Sequence, residues 1–235
     1  MHVPAFLRKI SILLIGSGIA QVLNFVFTSF LTRLYKPEQF GSQAVFFTIA
    51  FYGSILFTGK YELALIIPRE LKKAAAIVRF SIKLLFILSV VFIPVFYLLG
   101  DDITIWLNQA ELSRIAWLIP LAIISSGLIS IFNYWHTRQE NYKVLSGIRI
   151  TETIVTGGIA LAFFGVSMYG LIWASLIGTA ISATVLFYFY SKDKDHSDQT
   201  TYDNKQLAKE YKDFPKNNIA ISRERQDHVR QADPN

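Results

Sequence analysis

In the stretch FTGKYELALIIP, Phe57 to Pro68, a lysine and a glutamate interrupt what otherwise reads as one apolar segment. Ionised groups are costly at membrane depth and mark binding or transport sites. Lys60 and Glu62 are two residues apart, on nearly opposite sides of a helix, so neither neutralises the other within it and each needs its own partner. Counting along the neighbouring apolar runs brings Arg149, Glu152 and Lys83 to the same depth. Three cations against two carboxylates leave a surplus positive charge, which in a low-dielectric cavity favours an anionic ligand such as a phosphate group. The plainer reading ends the helix at Gly59, with Lys60 snorkelling to the headgroups and Glu62 in the interface.

A second set is neutral. Gln21 and Asn24 lie on one helical face with Thr28 a turn further on, and in hydrocarbon such a stripe must face another helix or water. The surrounding ISILLIGSGIAQ imitates a dinucleotide-binding glycine motif, but its last glycine is replaced by Gln21 and no alternating strand and helix follows. Gly16, Ser17, Gly18 and Ala20 read instead as a small-residue face for close helix packing. There is no cysteine, and His196 and His228 stand in polar stretches without ligand partners at metal spacing. With no nucleophile motif, no phosphate-cradling loop and no cofactor motif, the residues point to no enzyme and no bound cofactor.

The elements that must carry these residues are membrane helices. The chain is 52% hydrophobic and only 17% charged, with the charges clumped so that uncharged runs remain, a membrane composition. Each run matches the roughly 20 residues that cross hydrocarbon. The pattern predicts an all-α, six-helix bundle with spans near 9–34, 42–67, 77–99, 114–136, 144–164 and 169–190, the last two joined through Gly165 to Gly170. With the N-terminus inside, nineteen of the 23 Lys and Arg fall on the cytoplasmic side and only Arg33, Lys36 and Arg114 on the other, which places both termini in the cytoplasm. The net charge of +6 is thus topology and attraction to membrane lipids rather than nucleic-acid binding. The bundle is expected over 1–190, a cytoplasmic linker with a short helix over 191–217, and a disordered tail over 218–235.

LLIGSGIAQVLNFVFTSFLTRLYKPEQFGSQAVFFTIA followed by GKYELALIIPRE resembles the opening of the bacterial polysaccharide biosynthesis proteins, the Wzx-type lipid-linked-oligosaccharide flippases of the multidrug and oligosaccharidyl-lipid exporter superfamily. The resemblance rests on Gln21, Thr32 to Tyr35, Pro37-Glu38, Phe40-Gly41 and Tyr61 to Ala64 ahead of Pro68, and extends through NYWHTRQENYKVLSGIRI, FFGVSMYGLIWASLIGTAIS and AKEYKDFPKNN. It implies a carrier in the bacterial inner membrane that flips an undecaprenyl-diphosphate-linked oligosaccharide for surface polysaccharide such as O-antigen. Lys60, Glu62, Gln21, Asn24 and Glu152 would belong to its cavity, Lys83 and Arg149 would draw diphosphate to the cytoplasmic mouth, and Arg33 would guard the outer end. Lys60 stands where the family pattern has arginine, which keeps the charge without the bidentate fork. Family members carry two six-helix halves, so the resemblance implies the N-terminal half of a truncated or frameshifted exporter. Its missing wall would come from a homodimer or from the absent C-terminal half. Two other readings stay open: half of a multidrug or small-molecule antiporter, which predicts an acidic group deep in helix one or two, and a non-transporting membrane scaffold.

Overall fold

The long uncharged runs can satisfy their backbone polar groups in hydrocarbon only as helices. In a computed structural model, which describes residues 5–68, 70–106 and 110–192, they are helices and no strand occurs among those residues. The order is α1 (Ala5–Leu34), α2 (Pro37–Thr58), α3 (Leu71–Leu98), a short α4 (Gly100–Trp106), α5 (Ile119–Arg138), α6 (Tyr142–Ala162) and α7 (Gly170–Lys192). Two 3-10 segments, Tyr61–Ile66 and Ala110–Leu118, precede α3 and α5. Six helices are long and apolar enough to span a membrane. The linker and tail expected over 191–217 and 218–235 lie almost wholly outside the described residues.

Local sequence explains the turns. Pro37 occupies the first helical position of α2, where its missing N–H costs nothing, and Gln39 Oε1 accepts the Lys36 backbone N–H at 2.9 Å. Pro120 sits just inside α5 for the same reason. Gly165, with φ 76°, supplies the left-handed residue in the turn between α6 and α7.

At one point the structure corrects the expected spans. Helix two does not run from 42 to 67; it ends at Thr58. Gly59 (φ 59°) forms a left-handed cap whose N–H bonds to Leu56 O, and Lys60 (φ 57°) follows in the same region. The chain then turns into the 3-10 segment, packed on α3 and α5. Only part of LALII is buried in protein: Ala64 and Leu65 are fully covered, while Ile66 and Ile67 are exposed. Arg138, at the end of α5, donates from Nη1 to Leu65 O at 2.8 Å and ties the segment to the bundle.

The core centres on α5, which touches α2, α3 and α7 and buries Ile119, Ile123, Phe132 and Trp135 completely. Tyr190 of α7 closes the cluster, its ring 5.1 Å from that of Trp135 and nearly perpendicular to it. Helix α1 is the opposite case. It lies mainly along α6, and Leu14, Ile15, Val22, Phe25 and Phe30 are exposed, as a lipid-facing surface requires. Of the expected small-residue face, Gly16 meets Ser146 of α6 and Ala20 is buried, but Gly18 faces open space.

Candidate functional site

Four helices line a cavity of mixed polar and apolar character that runs from the middle of α6 toward the first turns of α2 and α7. α1 contributes Asn24 and Thr28, α2 Gln43, α6 Glu152 and Thr156, and α7 Ser175, around a volume of about 430 Å³. A second cavity of about 520 Å³ shares Gln43, Glu152, Thr156 and Ser175 and extends toward Phe47 and Thr179. Glu152 lies ten residues from either end of α6, hence about 15 Å from both at the helical rise. The wall is held by hydrogen bonds across helices. Gln43 Nε2 donates to Ser175 Oγ at 2.6 Å and more weakly to Leu171 O at 3.4 Å, joining α2 to α7. Arg149, one turn before Glu152, donates from Nη1 to Ser17 Oγ of α1 at 2.6 Å.

Glu62 stands elsewhere. Only 4% of it is exposed, and its carboxylate accepts hydrogen bonds from its own backbone N–H, from Thr58 and from Ser130 of α5. Its Oε2 has no partner. Burial pushes its carboxyl above the ordinary value, while those hydrogen bonds and the charge of nearby Lys60 pull the other way.

The expected single cluster is therefore two settings. Glu62 and Lys60 sit beyond the end of α2, against α3 and α5, whereas Glu152 and Arg149 belong to the seam between α1 and α6. The matching depth assumed for them fails, because the charged pair lies outside α2 and Glu152 is at the centre of α6 rather than near its first turns. Lys83 also moves: α3 begins at Leu71, so Lys83 is twelve residues in, and exposed. Of the neutral stripe, Asn24 and Thr28 line the cavity, while Gln21 is exposed and outside its lining. Arg33 is exposed in the last turn of α1.

Gln43, Thr156 and Ser175 were not singled out from sequence. A signal existed for Gln43, a lone amide one turn after Gln39 in an otherwise apolar run, but hydroxyls such as Thr156 and Ser175 also satisfy themselves on their own helix and carry no such mark.

Beyond the far end of α6 a third cavity, of about 510 Å³, lies between the α1–α2 and α6–α7 turns, lined by Lys36, Glu38, Gln39 and Glu111 among others. Tyr35 OH donates to Ala160 O at 2.6 Å and Gln39 Nε2 to Met168 O at 2.9 Å, fastening these turns together.

Six apolar spans among the described residues, four of them lining a cavity at Glu152, define a multi-pass, all-helical membrane protein. Its family is that of the polysaccharide biosynthesis proteins, to which the chain belongs: the family model matches residues 30–208. No curated protein and no solved structure matches the chain.

Proposed function

We propose that the protein takes part in moving a lipid-linked oligosaccharide, carried on undecaprenyl diphosphate, across the bacterial inner membrane, with the start of α1 and the end of α7 on the cytoplasmic side. The observation that carries this reading is the cavity of Asn24, Gln43, Glu152 and Ser175 inside an otherwise apolar bundle. Amides and hydroxyls at that depth can replace water around sugar hydroxyls, and a lipid-linked glycan needs such a lining while its lipid stays in the acyl region.

The cations take separate roles. Arg149 faces the α1–α6 seam at Ser17 and meets the diphosphate on its way past. Lys60 and Lys83, on the cytoplasmic half, raise its local concentration. Glu62 anchors the segment that carries Lys60, Gln21 extends the polar stripe along α1, and Arg33 meets the glycan at the outer end. A second six-helix body, from a second copy or from a separate half, completes the passage against α1.

The decisive experiment expresses this chain, alone and with a second half from a family member, in cells whose own flippase is deleted. Outward translocation is read as glycan transferred to its acceptor at the cell surface. Restored transfer that weakens when Asn24 and Gln43 are replaced by leucine supports the reading. No transfer in either arm, with the chain in the membrane, overturns it.

A mid-depth carboxylate also suits an antiporter of small molecules, but it lies on α6 rather than on α1 or α2 where that reading expects it. Uptake of cationic dyes by vesicles distinguishes the two.

A further inference from the structure

The third cavity, beyond the far end of α6, has an aromatic floor and a charged rim. Tyr35 is the floor, only 5% exposed, and its ring meets that of Phe164 at 5.8 Å with an angle of 70° between the planes. Phe164 lines the cavity too and is 47% exposed, so this ring is held from one side and open on another. The rim carries Lys36, Glu38 and Glu111, all exposed. Glu111 gives its backbone oxygen to Tyr169 OH at 2.7 Å. Among the described residues no hydrogen bond or ion pair engages the carboxylate of Glu38 or of Glu111. Gln39 differs, because both ends of its amide are committed, to Lys36 N–H and to Met168 O, and it fixes the two turns rather than facing a ligand.

Tyr35 is also a partition. Its hydroxyl bonds to Ala160 O, and Ala160 lines the cavity at Glu152 together with Leu31, one turn before Tyr35. The two cavities therefore lie end to end along α1 and α6, with the Tyr35 ring between them.

We propose that the third cavity binds one sugar ring, neutral or amino-bearing but not acidic, with Phe164 as its stacking face and Glu38 and Glu111 as acceptors. Apolar walls with a few convergent polar groups are the make-up of a small-ligand site. A pyranose needs both at once, since it presents a face of C–H bonds and an edge of hydroxyls. Carboxylates suit that edge because they only accept, with several lone pairs each, and their bonds are charge-assisted. The rim also selects. Two carboxylates against one lysine leave one negative charge, which attracts an ammonium-bearing sugar and repels a uronic acid. Arg33 and Arg114 lie at the same end of the bundle but line no part of the cavity. That the ring belongs to a transported glycan rests on the function proposed above; the site itself does not. On that reading a glycan passing Tyr35 is received by Phe164, and repeat units rich in acidic sugars are the poorer substrates.

The test needs no translocation. The full chain in vesicles free of glycoside detergent is titrated with methyl glucoside, methyl glucosaminide in its ammonium form and methyl glucuronide, and binding is read by saturation-transfer NMR. The glucosaminide binds best and the glucuronide worst, at least about fivefold apart, the modest factor that exposed charges provide. Phe164→Ala weakens all three by at least about threefold. Glu38→Gln combined with Glu111→Gln abolishes the difference between glucosaminide and glucuronide and leaves the glucoside bound. These side chains are at the surface, and an unchanged circular dichroism spectrum checks that the variants fold. No saturable binding of any glycoside, affinities untouched by Phe164→Ala, or a glucuronide held as tightly as the glucosaminide overturns the proposal. Sugar binding without transfer at the cell surface counts against the proposed function alone, and transfer without sugar binding counts against this site alone.

Discussion

Replacing Glu62 by glutamine should shift the balance of stability toward the variant as pH rises from acid to neutral. The residue is 96% covered, with three hydrogen bonds to one end of the carboxyl and an oxygen without a partner at the other, and burial favours its protonated form. The native group binds its proton more tightly than the ordinary value of 4.5. Below that value native and unfolded chains both carry the proton and nothing is lost. As pH rises above it the unfolded chain releases the proton first, and native stability falls by about 1.4 kcal/mol per pH unit until the native carboxyl ionises too. At pH 7.5, three units higher, the ceiling on that loss is about 4 kcal/mol. Glutamine keeps an oxygen for Thr58 and Ser130 and adds an amide nitrogen that costs about 1–3 kcal/mol if it stays unpaired, at every pH.

The variant therefore gains on the wild type as pH rises from 5 to 7.5, by at most about 3 kcal/mol, while its amide penalty stays constant. Thermal unfolding of both proteins in one detergent, followed by circular dichroism from pH 5 to pH 8, measures the difference. A midpoint difference that holds constant with pH, or a wild type that gains on the variant as pH rises, refutes the account of Glu62 as a sealed carboxyl.

Arg138→Gln removes the charge-assisted bond to Leu65 O and costs about 1.5–3 kcal/mol, with hydrogen exchange in Tyr61–Ile66 rising before that of α5. Gly157→Leu collides with the Phe27 ring and costs about 1–3 kcal/mol; an unchanged thermal midpoint would show that α1 and α6 do not meet there. Cysteines placed singly at Asp102 and Lys143 should react with an impermeant maleimide from opposite sides of the membrane, Asp102 from outside in the proposed orientation, since one span, Glu111–Arg138, lies between them. Labelling of both from one side would contradict the six-span topology.

Hydropathy made the spans readable because a helix in lipid must be apolar over its whole length, and that demand fixed six of them, with Gly165 marking the last hairpin. It misled at LALII for a related reason. A 3-10 segment that packs Ala64 and Leu65 on protein and leaves Ile66 and Ile67 exposed is as apolar as a helix end in lipid, and a window of hydropathy cannot separate the two. What decides is the pair Gly59 and Lys60, both left-handed, and only the glycine is legible. The error carried over to the site: depths counted along an extended helix two brought Glu62 beside Glu152, whereas the break at Thr58 leaves one carboxylate at the bundle end and the other at its centre.

That separation matters for mechanism because the two glutamates differ in what can reach them. Glu62 is closed off by Thr58, Ser130 and the segment that Arg138 holds in place, so a change in its charge requires the segment to move. Glu152 faces an open cavity, and the helix on its flank, α1, is the span least embedded in the rest of the bundle, held to α6 by Gly16 against Ser146, Ser17 with Arg149, and Phe27 over Gly157. Loosening that seam widens the cavity without disturbing the α5 core, since none of these contacts involves α5. A displacement of α1 would draw Ser17 away from Arg149 and free the guanidinium one turn from Glu152. The charge opposite the carboxylate would then depend on the position of α1, so that movement of one helix changes the electrostatics of the cavity.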